Sequence, residues 1–272
     1  MLKKVFEVLL CTLLAIAIAV GTVVAYMYLH QKWIFAPPPP QVGLPVAGAL
    51  YGAQTEPNKG WYYAKCPALI RDKVDTYPET LEFAANYIWY GDNHLSTDIS
   101  SDVTAGEVPL LLQWDKRWGY RYYGSNFMGN NGCGPTALCI VYAGLTANTD
   151  KSPYDIAMYA LDEGLYWAMQ GTHRDLMTKG AAHLGLTVEE LRKDEAAIRE
   201  GLQEGRLMIA HVTEGDFTVG GHFIVFVGFD EDGMLQIRDP NSRENTARTW
   251  DFARVMEQTT TVWSYGVPET KE

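Results

Sequence analysis

The alternation of apolar and polar positions divides the chain into an apolar head, a proline-rich link, a helical stretch and a strand-rich tail. Val8 to Leu29 carries no charge, and nearly every residue in it is apolar. Further on, Leu81, Ala84, Ala85 and Ile88 recur at helical spacing within PETLEFAANYIW, predicting an amphipathic helix after Pro78. A near-continuous apolar run after Cys133 predicts a buried helix. Ser152-Pro153 supplies a cap and first turn for another helix, carrying Ile156, Ala157 and Ala160. A further helix is expected from Thr172 to Gly185, and a short one from Glu195 to Leu202, ended by Gly205. The period then changes. Leu207–Val212, His222–Phe229 and Met234–Asp239 read as strands, the last two joined by the DEDG turn. Asp251 to Met256 reads as a short helix, with a final strand from Thr261 to Tyr265. Helices first and an antiparallel sheet afterwards define an α+β domain.

Composition narrows the possibilities. With 272 residues, 47% of them hydrophobic, the chain suits one globular domain with additions. A net charge of -11, with no basic patch, argues against nucleic-acid binding. HExxH, a P-loop and CxxC metal knuckles are absent, so neither a metal nor an organic cofactor is expected. The expected division is a transmembrane anchor or signal segment over 1–30, a proline-rich linker over 31–50, a helical lead-in over 51–107 and the catalytic domain over 108–268. The apolar head is long enough to span a bilayer, and Lys3 and Lys4 precede it. The expected location is therefore the cell membrane, single-pass with the body outside, or secreted if the head is cleaved. Pro37 to Pro40 favours a stiff spacer.

The stretch NNGCGPTALC carries the chemistry. Cys133 stands between two glycines, which permit backbone conformations closed to other residues, and before Pro135, which suits a first helical turn. A thiol at a helix N-terminus is biased toward thiolate. Such a nucleophile needs an imidazole, and the imidazole needs an acceptor that fixes its tautomer. His222 opens one strand and Asp239 closes the next, so a hairpin across DEDG sets them side by side. Gln113, in LLQWD, offers a side-chain amide to a developing oxyanion. Asn130 and the Cys133 amide are alternative donors. His211 is a rival base and Asn241 a rival orienting residue. Cys139, inside the apolar run, is expected to pack in the core, with a Cys66–Cys139 disulfide the less favoured alternative. Trp114 and Trp118 are expected to pack under the groove wall.

QWDKRWGY, NNGCGPTALC, GGHFIVFVGF and IRDP together resemble the C39-like cysteine peptidases of the papain-like superfamily, from about Pro109 to the C-terminus. The resemblance implies a papain-like fold, with a helical N-terminal half packed on an antiparallel sheet. It implies a Cys133–His222–Asp239 triad with Gln113 at the oxyanion, acting on a peptide or protein substrate. Gln113 lies farther from the cysteine than in compact papain-like enzymes. No nucleotide-binding module or multi-span region accompanies the domain, unlike the transporter-fused members. The alternatives are a cell-wall peptide amidase or endopeptidase, a transglutaminase-like acyl transferase on the same triad, and a catalytically silent binding module.

Overall fold

A computed structural model describes residues 12, 14–22, 65–92, 95–168 and 171–268. The chain divides into two units, Met1–Lys65 and Cys66–Glu272. In the first, residues 14–22 are helical. Among the described residues no helix is long and apolar enough to cross a membrane. That overturns the expected single-pass anchor and removes the basis for placing the body outside the cell. The rest of the apolar head, the four prolines and residues 51–64 lie outside the described residues.

The second unit begins with α1 (Ala68–Thr76), a 3-10 turn (Pro78–Thr80) and α2 (Leu81–Tyr90). The α2 helix is anchored by Phe83, which stacks on Tyr120 at 4.3 Å between ring centroids and accepts the Tyr120 hydroxyl on its backbone oxygen at 2.7 Å. The central helix, α3, spans Cys133–Thr146 and is buried from Gly134 through Ala143, as expected for a helix apolar on every side. Helix α4 (Pro153–Asp162) starts in a complete capping box between Ser152 and Asp155. Where one helix was expected from Thr172 to Gly185, the chain forms instead a two-residue strand at Gly171–Thr172, a π turn at Leu176–Gly180 and a helical turn at Ala181–His183. Gly171 at φ +87° reverses the chain into a small hairpin with Tyr166–Trp167, which takes Thr172 out of helical geometry.

The remaining elements are β1 (Thr187–Leu191), α5 (Glu195–Gln203), β2 (Leu207–Val212), β3 (His222–Phe229), β4 (Leu235–Arg238), α6 (Phe252–Gln258) and β5 (Thr259–Gly266). The strands form one antiparallel sheet in the order β1-β5-β2-β3-β4. Its two faces bury different side chains. Ile209, Val225 and Trp263 pack with α3, while Met208, Ile224 and Phe226 pack with Ile198 of α5 and Val255 of α6. Burial on both faces explains why β2 and β3 read as continuous apolar runs rather than alternating ones. Each such Ile or Val removed from water contributes about 1.5–3 kcal/mol. The β3–β4 hairpin slips by one residue between Phe226 and Gly228. The DEDG turn closes with Gly233 at φ +76° and Asp230 accepting two backbone N–H groups.

Candidate active site

Cys133 is the first residue of α3, with Gly132 as its N-cap. The two flanking glycines are there for space, and not for an unusual conformation. Gly132 has φ -84° and ψ 10°, open to any residue, and Gly134 is helical. A Cβ on Gly132, however, would stand 2.5 Å from the Met128 carbonyl oxygen and 2.6 Å from the Met128 sulfur. A Cβ on Gly134 would stand 2.7 Å from the Thr172 side chain. The turn that delivers Cys133 is packed too closely on both sides for alanine.

His222 opens β3 and Asp239 follows β4, and both side chains are buried. His222 Nε2 lies 2.7 Å from Asp239 Oδ1. With Nε2 engaged by the carboxylate, Nδ1 is the ring nitrogen left for sulfur, and Cys133 and His222 stand close enough to shift each other's titration. Burial raises the Cys133 thiol pKa. The hydrogen bond and charge of His222 and the N–H groups of Phe223 and Gly134 outweigh it, leaving the pKa lowered. Burial lowers the His222 pKa, but the charge and hydrogen bond of Asp239, then those of Cys133, push it up to about 10. The arrangement favours a thiolate–imidazolium pair.

The Asp239 carboxylate is held at both oxygens. Oδ1 also accepts the Asn241 N–H at 2.8 Å, and Oδ2 accepts the Asn245 side-chain amide at 2.8 Å. Asn245 lies in the short helix Arg243–Ala247 that follows the turn. Nothing in its spacing marks it in the sequence beyond the Ser242 cap ahead of it. The rivals are placed elsewhere. Asn241 turns its side-chain oxygen to Lys73, and its backbone serves Asp239. His211 Nδ1 meets the Thr260 hydroxyl at 2.7 Å, and burial lowers its pKa.

Gln113 is tied to the same turn. Its backbone N–H donates to Pro240 O, and its side-chain Nε2 donates to Gly129 O at 2.8 Å and Asn130 O at 3.1 Å. The side chain therefore braces the loop that leads into Cys133, while its Oε1 is buried without a partner among the described residues. Trp114 Nε1 donates to Asn241 O at 2.8 Å, and Trp118 is fully buried, so both indoles pack as wall residues. Asn130 is committed to Leu69 O and Asn126. Cys66 and Cys139 are free and buried, so the disulfide does not form. Among the described residues no group of three His, Cys, Asp or Glu is placed to hold a metal ion.

Sequence inspection missed the lead-in contacts. Lys73 Nζ donates to Asn241 Oδ1, Tyr77 OH donates to Phe217 O at 3.0 Å, and Glu79 accepts the Ser242 hydroxyl and the Arg243 N–H. The run KVDTYPE contains no motif that signals this.

Cys133 thus heads a buried helix, and the His222–Asp239 pair lies on the antiparallel sheet. Residues 106–267 match the model of the Peptidase C39-like family, and the chain belongs to that family. Two solved structures are similar. One is the peptidase domain of Streptococcus ComA, a bifunctional ABC transporter involved in a quorum-sensing pathway. It is 18% identical, with TM-score 0.42, over 60% of this chain and 100% of that one. The other is a C39-like peptidase from Bacillus anthracis, 16% identical, with TM-score 0.40, over 62% of this chain and 98% of that one. A comparison with curated proteins finds no match. The family supports a peptidase function and implies a peptide substrate.

Proposed function

We propose that the chain is a cysteine peptidase that hydrolyses peptide bonds through Cys133, His222 and Asp239. The observation that carries this reading is the buried His222–Asp239 pair, 2.7 Å from Nε2 to Oδ1, within electrostatic reach of the helix-borne Cys133. The thiolate attacks the scissile carbonyl carbon, forming the C–S bond. As the tetrahedral intermediate collapses, His222 gives the Nδ1 proton to the leaving amine and the C–N bond breaks, leaving a thioester. Neutral His222 then takes a proton from water, whose oxygen attacks the thioester and releases the acid. Asp239 holds the ring orientation and the Nε2–H tautomer throughout.

The oxyanion is stabilised by the Cys133 backbone N–H, a first-turn amide with no intrahelical acceptor; for the Gln113 amide to join it, one of its two N–H groups must leave Gly129 O or Asn130 O. Because Gln113 also braces the loop, its two roles need separate readouts. Gln113→Ala lowers kcat by about 10²–10³ if it donates to the oxyanion. Alkylation of Cys133 by iodoacetamide builds no oxyanion and reports the brace alone. The reading as a whole is tested by digesting a peptide mixture with the full chain and with Cys133→Ala. Cleavage by the first and none by the second supports it, and equal cleavage by both would end it.

A further inference from the structure

Three contacts from the lead-in segment fall on the turns that flank the His222–Asp239 pair. Tyr77 reaches Phe217, ahead of β3, while Glu79 holds Ser242 and Arg243, beyond Asp239. Between them, half-buried Lys73 directs its ammonium at Asn241 Oδ1. An ammonium offers three N–H donors, and the acceptor it meets here is a neutral amide oxygen. Among the described residues Lys73 is in no ion pair, although its surroundings are anionic. Burial lowers its pKa to about 8, while Cys133, Asp239 and Glu79, in that order, act to hold its proton.

His222 protonates the leaving amine, so the part of the substrate that leaves lies on the His222 side of the sulfur. Lys73 is joined through Asn241 to the residue that orients His222, and its ammonium lies within electrostatic reach of the Cys133 sulfur. We propose that Lys73 is a specificity-determining residue that receives a carboxylate just beyond the scissile bond, so that the enzyme selects peptides with an acidic side chain or a free chain terminus there. This rests on the peptidase reading and adds a substrate class to it. A lysine suits the task because its free N–H donors can take up an anion while one still holds Asn241.

The test compares alkylation of Cys133 by iodoacetate and by iodoacetamide, in the full chain and in Lys73→Met. Both reagents form the same C–S bond and expel iodide, so their rate ratio cancels thiolate content and access. The iodoacetate-to-iodoacetamide ratio is expected to fall about tenfold in Lys73→Met, the size of one charge-assisted hydrogen bond, and to recover in Lys73→Arg. An unchanged ratio overturns the proposal. So does an equal fall in both rates, which would make Lys73 only a tether for the lead-in helix.

A peptide series then identifies the source of the carboxylate. One arm compares Glu with Gln after the cleaved bond in amidated peptides, and the other compares a free with an amidated C-terminus. The wild-type chain is expected to favour the acid in kcat/KM in at least one arm, and Lys73→Met to level it. Cleavage without preference in either arm overturns the proposal and leaves the peptidase reading standing. A Lys73-dependent alkylation ratio with no peptide cleaved supports the anion site and removes the peptidase reading.

Discussion

Asn245 donates its side-chain amide to Asp239 Oδ2 at 2.8 Å, on the oxygen that His222 does not use. A buried carboxylate needs acceptor sites filled on both oxygens. Asn245→Ala leaves Oδ2 without that donor, and is expected to cost about 1–3 kcal/mol of stability, read by urea denaturation. It is also expected to lower kcat more than it raises KM, because the ring that Asp239 orients loses its fixed support. A loss of stability with kcat unchanged would reduce Asn245 to a scaffold residue.

The titration of the pair has a definite sign. The thiol is lowered from 9.0, so iodoacetamide should alkylate Cys133 well below the pH of an ordinary thiol. In His222→Ala the imidazole's hydrogen bond and charge are gone while burial and the Phe223 and Gly134 N–H groups remain, so the titration should move up. A Cys133 titration unmoved by that substitution would remove the ion pair from the mechanism.

Stability follows from the same shifts. Taken alone, His222 has a folded pKa of about 10 against 6.5 unfolded. Its contribution is complete below pH 6.5 and is lost as pH rises toward 10. Cys133 is lowered below 9.0, so its contribution is complete above 9.0 and is lost as pH falls through its folded value. From 6.5, or from the folded Cys133 value where that is higher, up to 9.0 the folded pair and the unfolded chain each bind one proton, on imidazole and on sulfur respectively. The pair should therefore add no slope in that window. Cys133→Ala should convert it into a decline with rising pH, measured as the urea midpoint at each pH.

The glycines around Cys133 make unequal predictions. Gly132→Ala sets a Cβ 2.5 Å from a backbone oxygen, which must move, at an expected cost of about 1–3 kcal/mol and a displaced thiol. Gly220→Ala, beside the histidine, meets nothing within 4 Å and should change the melting temperature little. Equal effects at the two positions would show that conformational freedom, and not space, is what Gly132 provides.

Much of this arrangement was legible because it rests on local rules. The apolar runs of β2 and β3 are long enough to be strands, and the DEDG turn sets His222 and Asp239 on one hairpin. The Ser152 cap and the buried helix after Cys133 follow from short-range pattern as well. What escaped depends on partners distant in sequence. Thr187–Leu191 reads TVEEL, too polar for an interior strand, yet it lies at the sheet edge with Glu189 and Glu190 exposed. The close packing at Gly134 depends on Thr172, which comes from a separate hairpin. The roles of Lys73 and Glu79 arise only when the lead-in helices dock on a turn formed by the far end of the chain. The membrane expectation used apolar length and the two lysines ahead of it, and among the described residues no helix is long and apolar enough to carry it.

Cys133 sits at the start of a helix that is complete early in the chain, while its partner comes from the sheet that the C-terminal strands assemble. The β2 strand is paired on one side with β3 and on the other with β5, which ends at Gly266. Pairings of such long sequence separation form late in folding. A chain still being synthesised thus carries an ordinary thiol, blunt toward peptides, until its last strand closes the sheet. The reactivity of that one sulfur is a chemical clock for the completion of folding.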